Sequence, residues 1–193
     1  QTRGTYIWLH DAQVDVEYTK DRLERITKVI PLSKYHRGFI PSVPDDKVMI
    51  SSNGLVLPEI TEGIERRPHA MFYGSSYDRG LEHLLKMWPT IRDQVPDATL
   101  DICYGWNLFL SFYRNNPERM AWYKKMEELM KQDGITHHGR IGHPELEKLM
   151  LSCSILSYPT HFSEISFITG MRGQALGCIP VTIDDFALSE TIQ

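Results

Sequence analysis

Cysteine is scarce in this 193-residue chain: only Cys103, Cys153 and Cys178 occur. They are odd in number and far apart, without the close pairing of a zinc or redox motif. That excludes a disulfide scaffold, fits a reducing compartment and leaves the three thiols as small core hydrophobes. A surplus of positive charge is also missing. The 21 Lys and Arg against 25 Asp and Glu give a formal net charge of -4, which offers no basic surface to a phosphate backbone and argues against nucleic acid as a partner. No apolar run approaches the ~20 residues that span a bilayer, and Gln1 to Arg3 does not open a signal peptide, so a cytoplasmic protein is expected. Internal repeats and low-complexity tracts are absent as well.

What is present is an ordinary globular balance, 41% hydrophobic and 24% charged residues. The length suits one buried core and part of a second, since single domains usually hold ~100–200 residues. The chain starts at Gln1 rather than Met and stops at Gln193 without a terminating feature, so it reads as a fragment of a longer protein.

The first apolar stretch, Tyr6-Ile7-Trp8-Leu9, has strand composition and ends at His10-Asp11. A charged segment follows from Asp15 to Arg25. A second strand is expected at Ile26 to Leu32, then a short helix through Phe39 capped by Ser33, and a third β-rich run at Val48-Met49-Ile50 before the Asn53-Gly54 turn. Pro58 to Pro68 reads as a linker. From His69 onward strands at 69–74, 98–104, 135–141, 154–158 and 179–183 alternate with helical stretches. Such β-then-α repetition predicts an α/β fold, a parallel sheet with helices on both faces. Leu81, Leu84, Leu85 and Trp88 on the first crossover, and Met120, Tyr123, Met126, Glu127 and Met130 on the second, recur at helical spacing and read as core packing. In open parallel sheets ligands bind beyond the carboxyl ends of the strands, which singles out the loops after Tyr73, Cys103, Arg140 and Tyr158.

The loop Gly74-Ser75-Ser76-Tyr77-Asp78-Arg79-Gly80 places a glycine at each end and a forked cation beside a helix start, the outline of a phosphate site. It has neither the Lys-Ser/Thr ending of a P-loop nor the three-glycine dinucleotide fingerprint, which weighs against a nicotinamide oxidoreductase. In the stretch from Tyr158 to Val181, a strand ends at Pro159 and a polar loop carries Glu164 to an expected helix N-terminus. There the carboxylate can cap the helix or hold a ligand's hydroxyls while the amides of Ser166 and Phe167 face a diphosphate. A metal cluster of His137, His138 and His143 is disfavoured. Adjacent strand residues point to opposite faces, and no Cys or carboxylate completes a tetrahedral set.

The segment from Glu164 to Val181 resembles the signature of the group-1 retaining glycosyltransferases, whose two-domain architecture is the GT-B fold. In that family a Glu is followed after seven residues by a second Glu, a small-residue helix end and a Gly-Pro-Val strand entry. Glu164 matches the first acid; Arg172 stands at the second, so the family's ribose contact is not carried over to it. The resemblance continues through Val29 to Arg37, through Ile50 to Gly54, and through the phosphate loop. Members there place an arginine after the first glycine and a lysine before the second; this chain has Ser75 and Arg79. His138 to Leu146 resembles the strand end and helix near the nucleobase, which makes Arg140, Ile141 and His143 base-pocket candidates.

The resemblance implies a Rossmann-like donor-binding domain at 69–193, a linker at 59–68, and the C-terminal remnant of an acceptor-side domain at 1–58. It implies transfer of a hexose, with retention and without a metal or other cofactor, from a UDP or GDP sugar to an acceptor hydroxyl in glycan biosynthesis. Glu164 and Arg79 would act in catalysis. Gly74, Ser75, Gly80, Arg140, Ile141, His143, Ile165, Ser166, Phe167 and Arg172 would bind the donor. The family's acceptor site belongs mainly to the N-terminal domain, which leaves the acceptor and any peripheral membrane contact to residues outside this chain and suggests that the chain alone is inactive. The rival reading is a non-catalytic nucleotide-binding or scaffold domain of the same fold.

Overall fold

The computed structural model describes residues 4–12, 18–56 and 63–192, which divide into two compact units. One unit comprises the described residues up to Leu55, together with 163–168 and 184–192. The other runs from Val56 to Phe162 and includes 169–183. Residues 15–17 of the charged segment and 59–62 of the expected linker lie outside the described residues, as does Pro58.

In the first unit, strands β1 (Tyr6–Trp8) and β2 (Lys28–Ile30) pair in parallel on either side of helix α1 (Lys20–Arg25). Tyr18, Ile26, Val29, Ile40 and Val43 form its core, with Ile7, Leu9, Leu23 and Val48 against it. The expected third strand is reduced to a bridge between Val29 and Val48, although Met49 and Ser51 still donate to the carbonyls of Val29 and Pro31. Helix α2 (Lys34–Arg37) begins as its sequence dictates: the Ser33 hydroxyl accepts from the His36 amide. Its other free amides, those of Lys34 and Tyr35, donate to the Glu190 carboxylate at 2.7 and 2.8 Å. A carboxylate at a helix start meets both the orphan amides and the positive end of the dipole. His36 is buried, accepts from the Leu32 amide at Nδ1 and so donates from Nε2 to the Asp11 carbonyl; burial holds its pKa below the ordinary histidine value.

In the second unit five strands form a parallel sheet in the order β7-β6-β3-β4-β5: β3 (Arg67–Tyr73), β4 (Thr99–Cys103), β5 (Ile135–Gly139), β6 (Cys153–Tyr158) and β7 (Ile179–Thr182). Arg67 and Pro68, at the end of the expected linker, already belong to β3. The chain moves outward from β3 to β4 and β5, then crosses back to place β6 on the other side of β3. The switch in direction therefore falls between β3 and β6.

Helix α3 (Leu81–Gln94) follows β3 and buries Leu81, Leu84, Leu85 and Trp88, the apolar positions its spacing marks, and packs against β6 and α5. The second crossover holds two helices rather than one, α4 (Asn107–Tyr113) and α5 (Pro117–Leu129). The break has a local cause: Asn116 caps α5 and Pro117 occupies its first turn, where a missing N–H costs nothing. Met126 and Met130 are buried as expected. Helix α6 (His143–Ser152) packs on β3 and β6, and α7 (Ile168–Ala175) leads to β7. Gly173 lets α7 lie close to the sheet, since a Cβ there would stand 2.9 Å from the Leu156 side chain. The last helix, α8 (Leu188–Thr191), belongs to the first unit.

All three cysteines are free and buried, as core hydrophobes; burial pushes the thiols of Cys103 and Cys153 up to about 12. Asp101 is a buried charge with its partners in place. Arg67 and His138 each reach it at 2.7 Å. Among the described residues no helix is long and apolar enough to cross a membrane.

Candidate functional site

The loops after β3 and β6 flank the switch point, where a parallel sheet splays its connections apart and opens a crevice. The first runs from Gly74 to Gly80 and is fixed from within. Tyr73 donates to the Ser76 carbonyl at 2.9 Å, Arg79 closes a turn onto the same oxygen, and the Ser76 hydroxyl donates to Asp78. Gly80 takes φ of +111°, and a Cβ there would run into the carbonyl of Pro159, so only glycine lets the β3 and β6 exits approach this closely. The Ser75 hydroxyl is buried against Tyr158. The Arg79 guanidinium lies 3.7 Å over the Phe162 ring, which joins the two loops and holds the cation's plane in one orientation. Thr169, in the first turn of α7, donates to the Gly74 carbonyl.

Beside this loop a cleft of about 390 Å³ opens beyond the carboxyl ends of β3, β4 and β5. Its walls include Gly74, Tyr104, Gly105, Leu108, Arg140 and His143. Tyr104 has φ of +139°, a conformation rare for a bulky residue and a form of strain that gathers at ligand sites. Its amide donates to the Gly139 carbonyl, and Gly105 follows at φ of +81° with Arg140 packed against it. Arg172 donates from Nη1 to Nδ1 of His143 at 2.7 Å, while its buried Nε has no hydrogen-bond partner.

The structure thus brings Gly74, Arg140, Ile141 and His143 onto one cleft, with Arg172 attached through His143. Ser75 and Gly80 serve the packing of the loop. The helix after β6 corrects the sequence reading. It starts at Ile168 rather than near Glu164, so Ile165, Ser166 and Phe167 precede it and do not offer first-turn amides. Glu164, Ile165 and Ser166 fall in the first unit, where long-range partners engage them. The Glu164 carbonyl takes the Ala187 amide, the Ile165 carbonyl takes the Ser33 hydroxyl, and the Ser166 hydroxyl takes Asn53. His137, His138 and His143 turn to three different partners, Tyr77, Asp101 and Arg172. Sequence reasoning named the loop after Cys103 but not its cleft residues Tyr104, Gly105, Asn107 and Leu108; the available signal was a glycine two residues past a strand end.

Neither a protein-family model nor a curated protein matches the sequence. Solved structures do match its fold. Pneumococcal O-GlcNAc transferase GtfA, in complex with UDP and GlcNAc, superimposes with a TM-score of 0.67 at 15% identity over 100% of this chain and 36% of that one. Anabaena HepE in complex with UDP-glucose gives 0.69 at 13% identity, covering 99% and 56%. The fold is that of GT-B glycosyltransferases. A TarM mutant from S. aureus, crystallised with UDP among other ligands, extends the GT-B likeness at 0.68 and 12% identity, covering 98% and 39%. This chain therefore spans between about a third and little more than half of these GT-B chains, and at such identities the likeness is one of fold.

Proposed function

We propose that the second unit is the nucleotide-sugar-binding part of a metal-independent, retaining hexosyltransferase, with a UDP or GDP sugar as donor and a hydroxyl as acceptor. The observation that carries the reading is the joining of two features at the carboxyl end of one sheet: a glycine-bounded loop with Arg79 clamped on Phe162, and a cleft of nucleoside size that contains Arg140 and His143 but no carboxylate among its described lining residues. Its solved neighbours of the same fold bind UDP, UDP-glucose or UDP with GlcNAc.

In such a transfer the bond from anomeric carbon to diphosphate breaks while the acceptor hydroxyl approaches on the same face. Negative charge grows on the leaving phosphate. Arg79, already oriented, would donate to it without reorganising, together with the amides of Thr169 and Gly170 in the first turn of α7. Glu164 would orient the transferred sugar through its hydroxyls. Arg172 in place of a second acid, and Ser75 in place of a cation, favour the rival reading of a non-catalytic nucleotide-binding or scaffold domain of the same fold. The donor reading requires nucleotide binding by this chain, which a scaffold domain does not.

Calorimetric titration of the chain with UDP, GDP and their sugars tests that requirement. Binding in the micromolar to millimolar range is expected, and Arg79→Ala should weaken it by about tenfold or more, the value of a charge-assisted contact to phosphate. No binding of any of them would refute the donor reading. Turnover in the complete protein separates enzyme from scaffold. There Glu164→Gln should slow transfer by about a hundredfold if the carboxylate acts in the transition state, and unchanged turnover would remove its assigned role.

A further inference from the structure

A buried atom, the Tyr77 phenol oxygen, ties the phosphate loop to the far wall of the cleft. Tyr77 lies in the Gly74–Gly80 loop, is 2% exposed and reaches across to the loop after β4. There its oxygen accepts from the Gly105 amide at 2.8 Å, beside the strained Tyr104 that lines the cleft. On its other side it meets Nε2 of His137, on β5, also at 2.8 Å. The ring packs edge-on to Trp106 at 4.6 Å, so the phenol has little room to swing away.

The proton count along this chain is closed. Gly105 N–H donates to the phenol oxygen, the phenol O–H donates to Nε2, and the remaining imidazole proton sits on Nδ1, facing Glu127 at 3.9 Å. Glu127 in turn accepts from Trp106 Nε1. Protonation of His137 would put a second N–H against the phenol oxygen and leave the phenol proton without an acceptor in the chain. The groups that bear on this titration are Glu127 from α5, which favours the imidazolium, and the adjacent His138 on β5, which opposes it. Cys103 from β4 bears on the phenol. Burial is the largest effect and holds the His137 pKa below the ordinary histidine value. Because the folded-state pKa is depressed, the neutral network is complete above the unfolded value of about 6.5. It is lost as pH falls through the lower folded one.

We propose that Tyr77 is a positioning residue of the donor site, holding the cleft wall at Gly105 in register with the phosphate loop, and that His137 makes this tie, and with it nucleotide affinity, dependent on pH. The inference rests on the donor reading, which it deepens. The Tyr77 side chain touches no reacting atom; it acts through Tyr104 and Gly105.

The test compares UDP affinity of the chain and its Tyr77→Phe variant across pH. At about pH 7.5 the variant should bind about tenfold more weakly, the worth of one buried hydrogen bond lost with its partner stranded. As pH falls through the lowered His137 value, where the wild-type tie itself opens, the two should converge to within about twofold. His137→Gln, which cannot titrate, should show the same narrowing against wild type. A ratio that stays constant with pH would mark Tyr77 as mere packing and overturn the proposal. Hydrogen exchange of the Gly105 amide gives a ligand-free reading: its protection should fall in Tyr77→Phe, and in wild type on acidification. Unchanged protection overturns the tie. Absence of UDP binding by wild type at every pH would instead refute the donor reading, and the exchange arm would still decide whether the tie exists.

Discussion

Replacing Gly80 with alanine should be among the most damaging single-methyl changes in the chain, and the structure allows its cost to be worked in two parts. The first is conformational: φ of +111° is a region that an L side chain rarely enters, and forcing one there costs about 1–3 kcal/mol. The second is steric. The new Cβ would collide with the Pro159 carbonyl and stand 2.9 Å from the Thr160 Cα, both backbone atoms that cannot rotate away. Relieving such overpacking costs typically about 1–3 kcal/mol. The sum, about 4 kcal/mol, is a large share of a native stability of about 5–15 kcal/mol. Urea unfolding of Gly80→Ala reads the total. Gly63→Ala isolates the first part, because Gly63 has φ of +91° with nothing within 4 Å of its Cβ position, and it should lose about 1–2 kcal/mol. Since Gly80 also sets the distance between the loops after β3 and β6, UDP affinity should fall along with stability. A loss below about 1 kcal/mol for Gly80→Ala would mean that these two loops yield easily, contrary to the packing density of protein interiors, and would refute the claim that the crevice is rigidly spaced.

Asp101→Asn should cost about 1–3 kcal/mol in urea unfolding, because it disturbs the hydrogen bond from His138 at a buried position while the half-exposed Arg67 guanidinium recovers part of its loss from water; a loss under about 0.5 kcal/mol would show that the whole cluster is solvated. Glu82 predicts an acid limb. Lys125 and Lys86, with Trp122, hold its carboxylate down to about 2, so its contribution is complete above the ordinary carboxylate range and is lost as pH falls from there through the folded value. Glu82→Gln should therefore lower stability at neutral pH and flatten the dependence between about pH 4.5 and 2, which thermal melts across that window would check.

The second unit was largely legible because its strands are short runs of four to seven residues separated by helical spacing, and burial within a parallel sheet favours apolar residues in them. Leu81, Leu84, Leu85 and Trp88 announced a core face and formed one. Where the reading failed, distant partners decided the local structure. Val48-Met49-Ile50 has strand propensity, but only Val48 bridges to Val29. The residues around Glu164 carry cap-like serines and an acid, yet their carbonyls are taken by Ala187 and Ser33, far away in sequence, and the helix cannot begin until Ile168. Asn116 and Pro117 mark the start of α5, a local signal that the helical spacing of Met120 to Met130 does not contain. Tyr77 was invisible for a different reason. A lone aromatic in a loop carries no period, and its value appears only when Gly105 and His137 arrive beside it.

Arg172 changes what the proposed site can ask of its nucleotide. A carboxylate accepts both protons of a vicinal diol and so identifies a ribose; a guanidinium can only donate. Here the guanidinium is moreover committed to the protein, with Nη1 on His143, so Nδ1 of that ring accepts and a neutral His143 carries its proton on Nε2. Arg140 is the cation that lines the cleft itself, and among the described residues no acid does so. Every charged group lining the cleft is therefore a hydrogen-bond donor, and a donor surface discriminates acceptors: phosphate oxygens and the carbonyls of a base. Tyr104, held at positive φ and 39% exposed, adds an aromatic ring to that wall. On the proposed reading, selectivity then rests on base and phosphates rather than on the ribose hydroxyls. This makes the register between phosphate loop and cleft wall, which Tyr77 holds, the determinant of which nucleotide can satisfy both ends at once.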